Sequence, residues 1–119
     1  MQIEIPLKLP SLNEFINQCR YNKYAGNNYK QNVQAEIYPY IKNMPKLEKP
    51  VKIDFHWYEG NRKRDLDNIC SSKKFILDAL VKYGKLKDDN RKNVCAFTDN
   101  FYYTKNEWKV ILDIQEVWY

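Results

Sequence analysis

Two groups of carboxylates stand inside stretches that are otherwise crowded with cations. Asp65 and Asp67 follow Arg62, Lys63 and Arg64, and Asp88 and Asp89 lie among Lys85, Lys87, Arg91 and Lys92. Acids massed within a basic surface repel one another unless something of opposite charge sits between them. A divalent cation held by the acids, with a phosphodiester held by the bases, accounts for both halves of the pattern. The chemistry it points to is metal-dependent cleavage of nucleic acid.

The spacing supports that reading. Asp65 and Asp67 are two residues apart in what should be an extended approach to a helix. At about 3.3 Å per residue their side chains leave one face roughly 6.6 Å apart at the backbone. Two carboxylates so placed can converge on one or two Mg²⁺ ions, which prefer oxygen ligands and keep several waters. A position at a helix start also favours the ionised form of Asp67, because the helix dipole is positive there. A plainer reading stays open for each acid: Asp67 as a helix cap, and Asp88-Asp89 as a solvated turn. A calcium loop does not fit, since Ile69 and Cys70 fall where such a loop needs a ligand and a glycine.

Further polar residues carry weaker signals. His56, the single histidine, and Asp54 share the polar side of an alternating strand and read as sheet-surface residues. Among ten tyrosines, Tyr21, Tyr24 and Tyr29 interleave with Arg20, Lys23 and Lys30, an arrangement suited to stacking on splayed bases while cations follow the backbone. Lys42, Lys46 and Lys49 read as a solvated face.

The elements that must position these residues follow from periodicity. Ile3 to Leu7 alternates as a short strand. Ser11 caps a helix from Leu12 to Cys19, Arg20 to Lys30 reads as a loop, and a second helix runs from about Tyr29 to Lys42 with Val33 and Ile37 inward. Val51, Ile53, Phe55 and Trp57 alternate as a strong strand. The clearest helix spans roughly Asn68 to Tyr83, capped by Asp67 or Asn68 and ended by Gly84 in a left-handed conformation. Its core stripe is Ile69, Ile76, Ala79, Leu80 and Tyr83. Val94 to Phe97 and Trp108 to Trp118 complete the strands, and Trp57 and Trp108 are expected in the core. The expected fold is α+β, a small mixed sheet with helices packed on one face, in a single domain over residues 1–119.

Composition bounds the classes. At 119 residues with 44% hydrophobic residues, the chain can bury one core. No apolar run approaches membrane-spanning length, and the beginning Met1-Gln2-Ile3-Glu4 lacks the layout of a signal peptide. Cys19, Cys70 and Cys95 are odd in number and lack metal-ligand spacing, which points to reduced thiols and a cytoplasmic location. Twenty Lys and Arg against 15 acids give a formal charge of +5, which favours a polyanionic partner.

Beyond these physical arguments, the chain resembles the RusA family of Holliday-junction resolvases. The matching pieces are Asp65-Leu66-Asp67-Asn68, Asp78-Ala79-Leu80, Gly84 and Asp88-Asp89. Pro10-Ser11-Leu12-Asn13 and the lysine at position 30 fit the family's N-terminal half. The resemblance implies a Mg²⁺-dependent endonuclease (Mn²⁺ being the alternative ion) that acts as a homodimer on branched DNA and nicks four-way junctions symmetrically. It maps the catalytic and metal-binding acids onto Asp65, Asp67 and Asp89. Many members carry a catalytic lysine four residues after the second Asp, and here that position is Ser71. Counting back from Asp78-Ala79-Leu80 puts the lysine at Lys74 instead, with Lys73 beside it as the other candidate. The expected DNA contacts are Arg20, Lys23, Lys30, Arg62, Lys63, Arg64, Lys73 and Lys74. The alternatives are a branched-DNA-binding module without catalysis, a broader flap or fork nuclease, and a basic protein whose acids only cap a helix.

Overall fold

The computed structural model describes residues 1–117, and Trp118, the expected end of the last strand, lies outside them. Four strands, β1 (Gln2–Ile5), β2 (Val51–Glu59), β3 (Val94–Tyr103) and β4 (Lys109–Glu116), form one sheet in the order β1-β4-β2-β3. β4 pairs antiparallel with both β1 and β2, whereas β3 runs parallel to β2. A parallel pair needs a long crossover, and the crossover here carries the acidic residues. Four helical segments accompany the sheet: α1 (Leu12–Tyr21), α2 (Lys23–Ile41), α3 (Leu66–Cys70) and α4 (Lys73–Lys82). The α+β expectation, a mixed sheet with helices on one face, holds.

The core follows the alternation of β2. Val51, Ile53, Phe55 and Trp57 are buried and pack with Ile5 of β1 and with Val110, Leu112 and Ile114 of β4. Val33, Ile37 and Ile41 of α2 and Ile76, Ala79 and Leu80 of α4 cover that face. The residues between them on β2, Lys52, Asp54, His56 and Tyr58, are only half-buried on the opposite face. Gly84 ends the α4 segment with φ +74°, the conformation expected of it.

Four expectations need correction. Arg20 to Lys30 is not a loop: α1 runs to Tyr21 and α2 begins at Lys23, with Asn22 alone between them. Asn22 is extended, and its Oδ1 accepts the Ala25 N–H at 2.7 Å, a strong cap that opens a helix within a polar stretch. The first turns of α2 bury little, so no apolar stripe announced them. Next, the helix expected over Asn68 to Tyr83 is two helices. Ser72 is buried, and its hydroxyl donates to the Pro10 carbonyl at 2.5 Å, while the Ser71 hydroxyl donates to Asn68 O at 2.8 Å. Two hydroxyls bonding to backbone carbonyls at adjacent positions disturb the helical ladder, and the axis breaks there. Finally, β3 extends to Tyr103, well past Phe97. Trp57 is buried as expected, but Trp108 is only half-buried, ahead of β4.

Candidate active site

The mount for Asp65 and Asp67 is built from its neighbours. β2 ends at Glu59, which is buried, and the chain turns at Gly60 beneath the Trp108 ring. A Cβ on Gly60 would lie 2.7 Å from that ring and 2.8 Å from the Glu107 nitrogen, so only glycine permits this approach. Arg64 then grips the end of β2: its Nε donates to Glu59 Oε1 at 2.8 Å and its terminal nitrogen to Oε2 at 2.7 Å. A third donor of the same guanidinium reaches the Leu9 carbonyl at 2.8 Å. Arg64 is thus engaged within the fold, stapling the loop to the segment ahead of α1.

Asp65 follows in extended backbone as the residue preceding α3, and Asp67 lies in the first turn. Neither serves as a cap: Asp65 makes no side-chain capping bond, and among the described residues no hydrogen bond or ion pair engages either carboxylate. Both are exposed. Ile69, which is buried, and the Ser72–Pro10 bond hold α3 down behind them. Two acids with no internal partner therefore stand on a segment anchored by a buried ion pair, an apolar residue and a buried hydroxyl.

The third acid has a cation already. Lys74 Nζ lies 2.6 Å from Asp89 Oδ2 and 3.0 Å from Asp78 Oδ1. Asp78 Oδ2 in turn lies 2.8 Å from Lys30 Nζ. The result is a chain of alternating charge, Asp89–Lys74–Asp78–Lys30, along one side of α4. The bond from Lys74 holds the Asp89 carboxyl below the usual carboxylate value, and the bonds to Asp89 and Asp78 push the Lys74 ammonium up. Asp88 lies in the segment between α4 and β3, its Oδ1 accepting the Asp89 N–H at 2.8 Å. Lys74, Lys30 and Ser71 share a cleft of about 310 Å³ with Leu12, Phe15 and Phe75. The lysine placed by counting back from Asp78-Ala79-Leu80 and the serine standing at the family's lysine position therefore line the same space.

The remaining candidates divide by exposure. Lys73 points into the fold: its Nζ lies 2.7 Å from Asp99 Oδ2 and 3.7 Å from the Phe97 ring centroid. Asp99 also accepts from Trp57 Nε1 at 2.9 Å. Arg20 and Lys23 are exposed on either side of the α1–α2 corner, with Lys23 over the Tyr24 ring at 5.2 Å. Arg62 and Lys63 are exposed beside the acidic segment, with Arg62 over Tyr103 at 4.6 Å. His56 lies on the sheet's far face with Nδ1 2.9 Å from the Tyr102 hydroxyl, and Asp54 there accepts from Thr98. Sequence reasoning missed the structural parts played by Asp78, Glu59 and Asp99. Of these only Asp78 left a trace, its i,i+4 spacing from Lys74.

Asp65 and Asp67 supply the oxygen donors that a hard cation such as Mg²⁺ takes, and their lack of internal partners fits that use. Among the described residues, no group of three or more His, Cys, Asp or Glu side chains converges as a ligand set, and Asp89 is paired with Lys74. A family model described as endodeoxyribonuclease RusA matches residues 5–115. No curated protein matches the chain. The match runs from the last residue of β1 to Gln115 in β4 and takes in β2, β3 and the acidic segment: the chain belongs to the RusA endodeoxyribonuclease family.

Proposed function

We propose that the protein is a metal-dependent endodeoxyribonuclease that resolves four-way DNA junctions by paired symmetric nicks. The observation that carries this reading is the pair Asp65 and Asp67, exposed and without internal partners on a segment anchored at three points. Two like charges two residues apart cost stability unless a ligand compensates them. Asp65 and Asp67 would hold Mg²⁺ or Mn²⁺, with Asp89 as the third ligand once it leaves Lys74. A bound ion of this kind supplies an activated water and neutralises charge on the phosphoryl oxygens.

The protein's own groups do the rest. Lys74 is a point charge on an exposed side chain, held by Asp78 on one side and Asp89 on the other. With Asp89 among the residues that would hold the metal, Lys74 would be left to contact a phosphate, with Asp78 as its remaining partner. Arg20, Lys23, Arg62 and Lys63 contact the DNA backbone from exposed positions. Lys30 follows from its place beside Lys74. Arg64 and Lys73 act instead as internal braces. A junction with near two-fold symmetry needs two opposed cuts, and a homodimer supplies one acidic site for each.

Asp67→Asn tests the reading. Metal-ion stabilisation of several kcal/mol, at about 1.4 kcal/mol per tenfold, predicts a loss of cleavage on the order of a hundredfold or more with junction binding kept. If Asp67 merely started a helix, Asn would serve as well and cleavage would not change.

A further inference from the structure

We propose that the cleft between the end of β3 and the start of α3 is a nucleobase subsite, which takes one unstacked base next to the phosphate that is cut. The inference rests on the nuclease reading of Asp65 and Asp67 and adds to it how the strand is recognised. The cleft has a volume of about 240 Å³ and is lined by Asn61, Arg62, Leu66, Ile69, Phe101 and Tyr103, together with Glu59 and Arg64. Glu59 and Arg64 neutralise each other through two bonds. What the cleft offers a ligand is therefore an apolar and aromatic wall, one amide and one cation.

Each part suits a flat heterocycle. Phe101 and Tyr103 pair with Trp57 and Glu59 in the parallel register of β2 and β3, which puts their side chains on the helix-covered face of the sheet. α3 closes the opposite side with Leu66, which is 57% exposed despite its size. Arg62 lies over the Tyr103 ring at 4.6 Å and has no acidic partner among the described residues, so its charge is available to a polyanionic strand. Aromatic faces and guanidinium planes are the surfaces on which unpaired bases stack. Asn61 uses its Oδ1 for the Lys63 N–H at 3.0 Å, which leaves its amide hydrogens for an acceptor on a base edge.

Position links the cleft to the chemistry. Leu66 stands between Asp65 and Asp67, so a base that touches Leu66 belongs to a nucleotide adjoining the acids. An unpaired cation argues against an apolar peptide as occupant, and the mostly apolar and aromatic lining does not suit a phosphate alone. A base next to the scissile phosphate can be unstacked at a junction, where strands exchange and stacking is already interrupted.

The test is photo-cross-linking with four-way junctions that carry a single 5-iodouracil at one of the two nucleotides flanking the cut. The full-length protein is bound in EDTA so that nothing is cleaved. One flanking position is expected to cross-link to Tyr103 or its neighbours in the cleft. Tyr103→Ala should lower that yield roughly tenfold at equal occupancy, whereas Tyr103→Phe, which keeps the ring, should retain it. Tyr103 is half-exposed at the strand end, and the Phe variant controls for folding. Cross-links at neither position on bound junction, or a yield unchanged in Tyr103→Ala, would overturn the subsite. In that case cleavage with Mg²⁺ would still stand. If the protein neither bound nor cut the junction, the nuclease reading would fall, and the subsite with it.

Discussion

At the scale of residues, the account turns on which charges are already spent. Asp65 and Asp67 have no internal partner among the described residues, whereas Asp89 is matched to Lys74 at 2.6 Å. The distinction has a measurable consequence. Lys74 lowers the folded-state pKa of Asp89 below its unfolded value, so the pair stabilises the protein above the unfolded pKa and loses that contribution as pH falls through the folded one. Lys74→Met should therefore raise the Asp89 carboxyl titration midpoint, as read by carboxylate NMR. It should also weaken cleavage more than metal binding if Lys74 serves the phosphate. An Asp89 midpoint unmoved in Lys74→Met would mean that the ion pair is not formed in solution. Arg64 makes the opposite case. Its side chain and that of Glu59 are 15% and 10% exposed, and removing one partner of a buried pair costs about 3–5 kcal/mol. Arg64→Ala should lower the unfolding free energy by that order in urea titration, and Arg62→Ala should leave it nearly unchanged.

At the scale of elements, the legible parts were those set by a burial alternation or by a residue with one strong conformational habit, such as a serine cap or a left-handed glycine. The alternation of Val51, Ile53, Phe55 and Trp57 gave β2, Ser11 gave the start of α1, and Gly84 gave the end of the α4 segment. What stayed hidden was decided by single polar atoms. Asn22 starts a helix by accepting one N–H, and Ser71 and Ser72 break another by donating to carbonyls, one of them 62 residues away in sequence. No periodicity encodes such a bond. The acids proposed for the site stood out in the sequence because their charge conflicts with their surroundings; the ion pairs of Arg64 and Lys73 did not, since a basic residue paired within the fold and one free for DNA look alike in a sequence. The break at Ser72 also has its own test. Ser72→Ala removes the hydroxyl from Pro10 O and leaves a buried acceptor unmatched, at a cost of about 1–3 kcal/mol. Gly60→Ala should destabilise by a similar 1–3 kcal/mol, through overpacking against Trp108 and the Glu107 backbone. Both costs should show as lowered midpoints in thermal unfolding.

At the scale of the whole molecule, the formal charge of +5 understates the field that DNA would meet once Asp65, Asp67 and Asp89 are neutralised by the proposed metal. Arg20 and Lys23 stand at the α1–α2 corner next to Tyr21 and Tyr24, which are 83% and 70% exposed. If both cations contact phosphates, the double variant Arg20→Ala/Lys23→Ala should weaken binding to all sequences alike. It should also reduce the slope of log affinity against log salt by about 2. An unchanged slope would move the DNA track elsewhere on the surface. The central claim, a metal-dependent nuclease that selects junctions, is tested most directly by one incubation. Purified protein is mixed with a labelled four-way junction and with a matched linear duplex, in Mg²⁺ and in EDTA. The account predicts paired, symmetric nicks in the junction alone, abolished by EDTA. Equal cutting of the linear duplex, or cutting that survives EDTA, would contradict it.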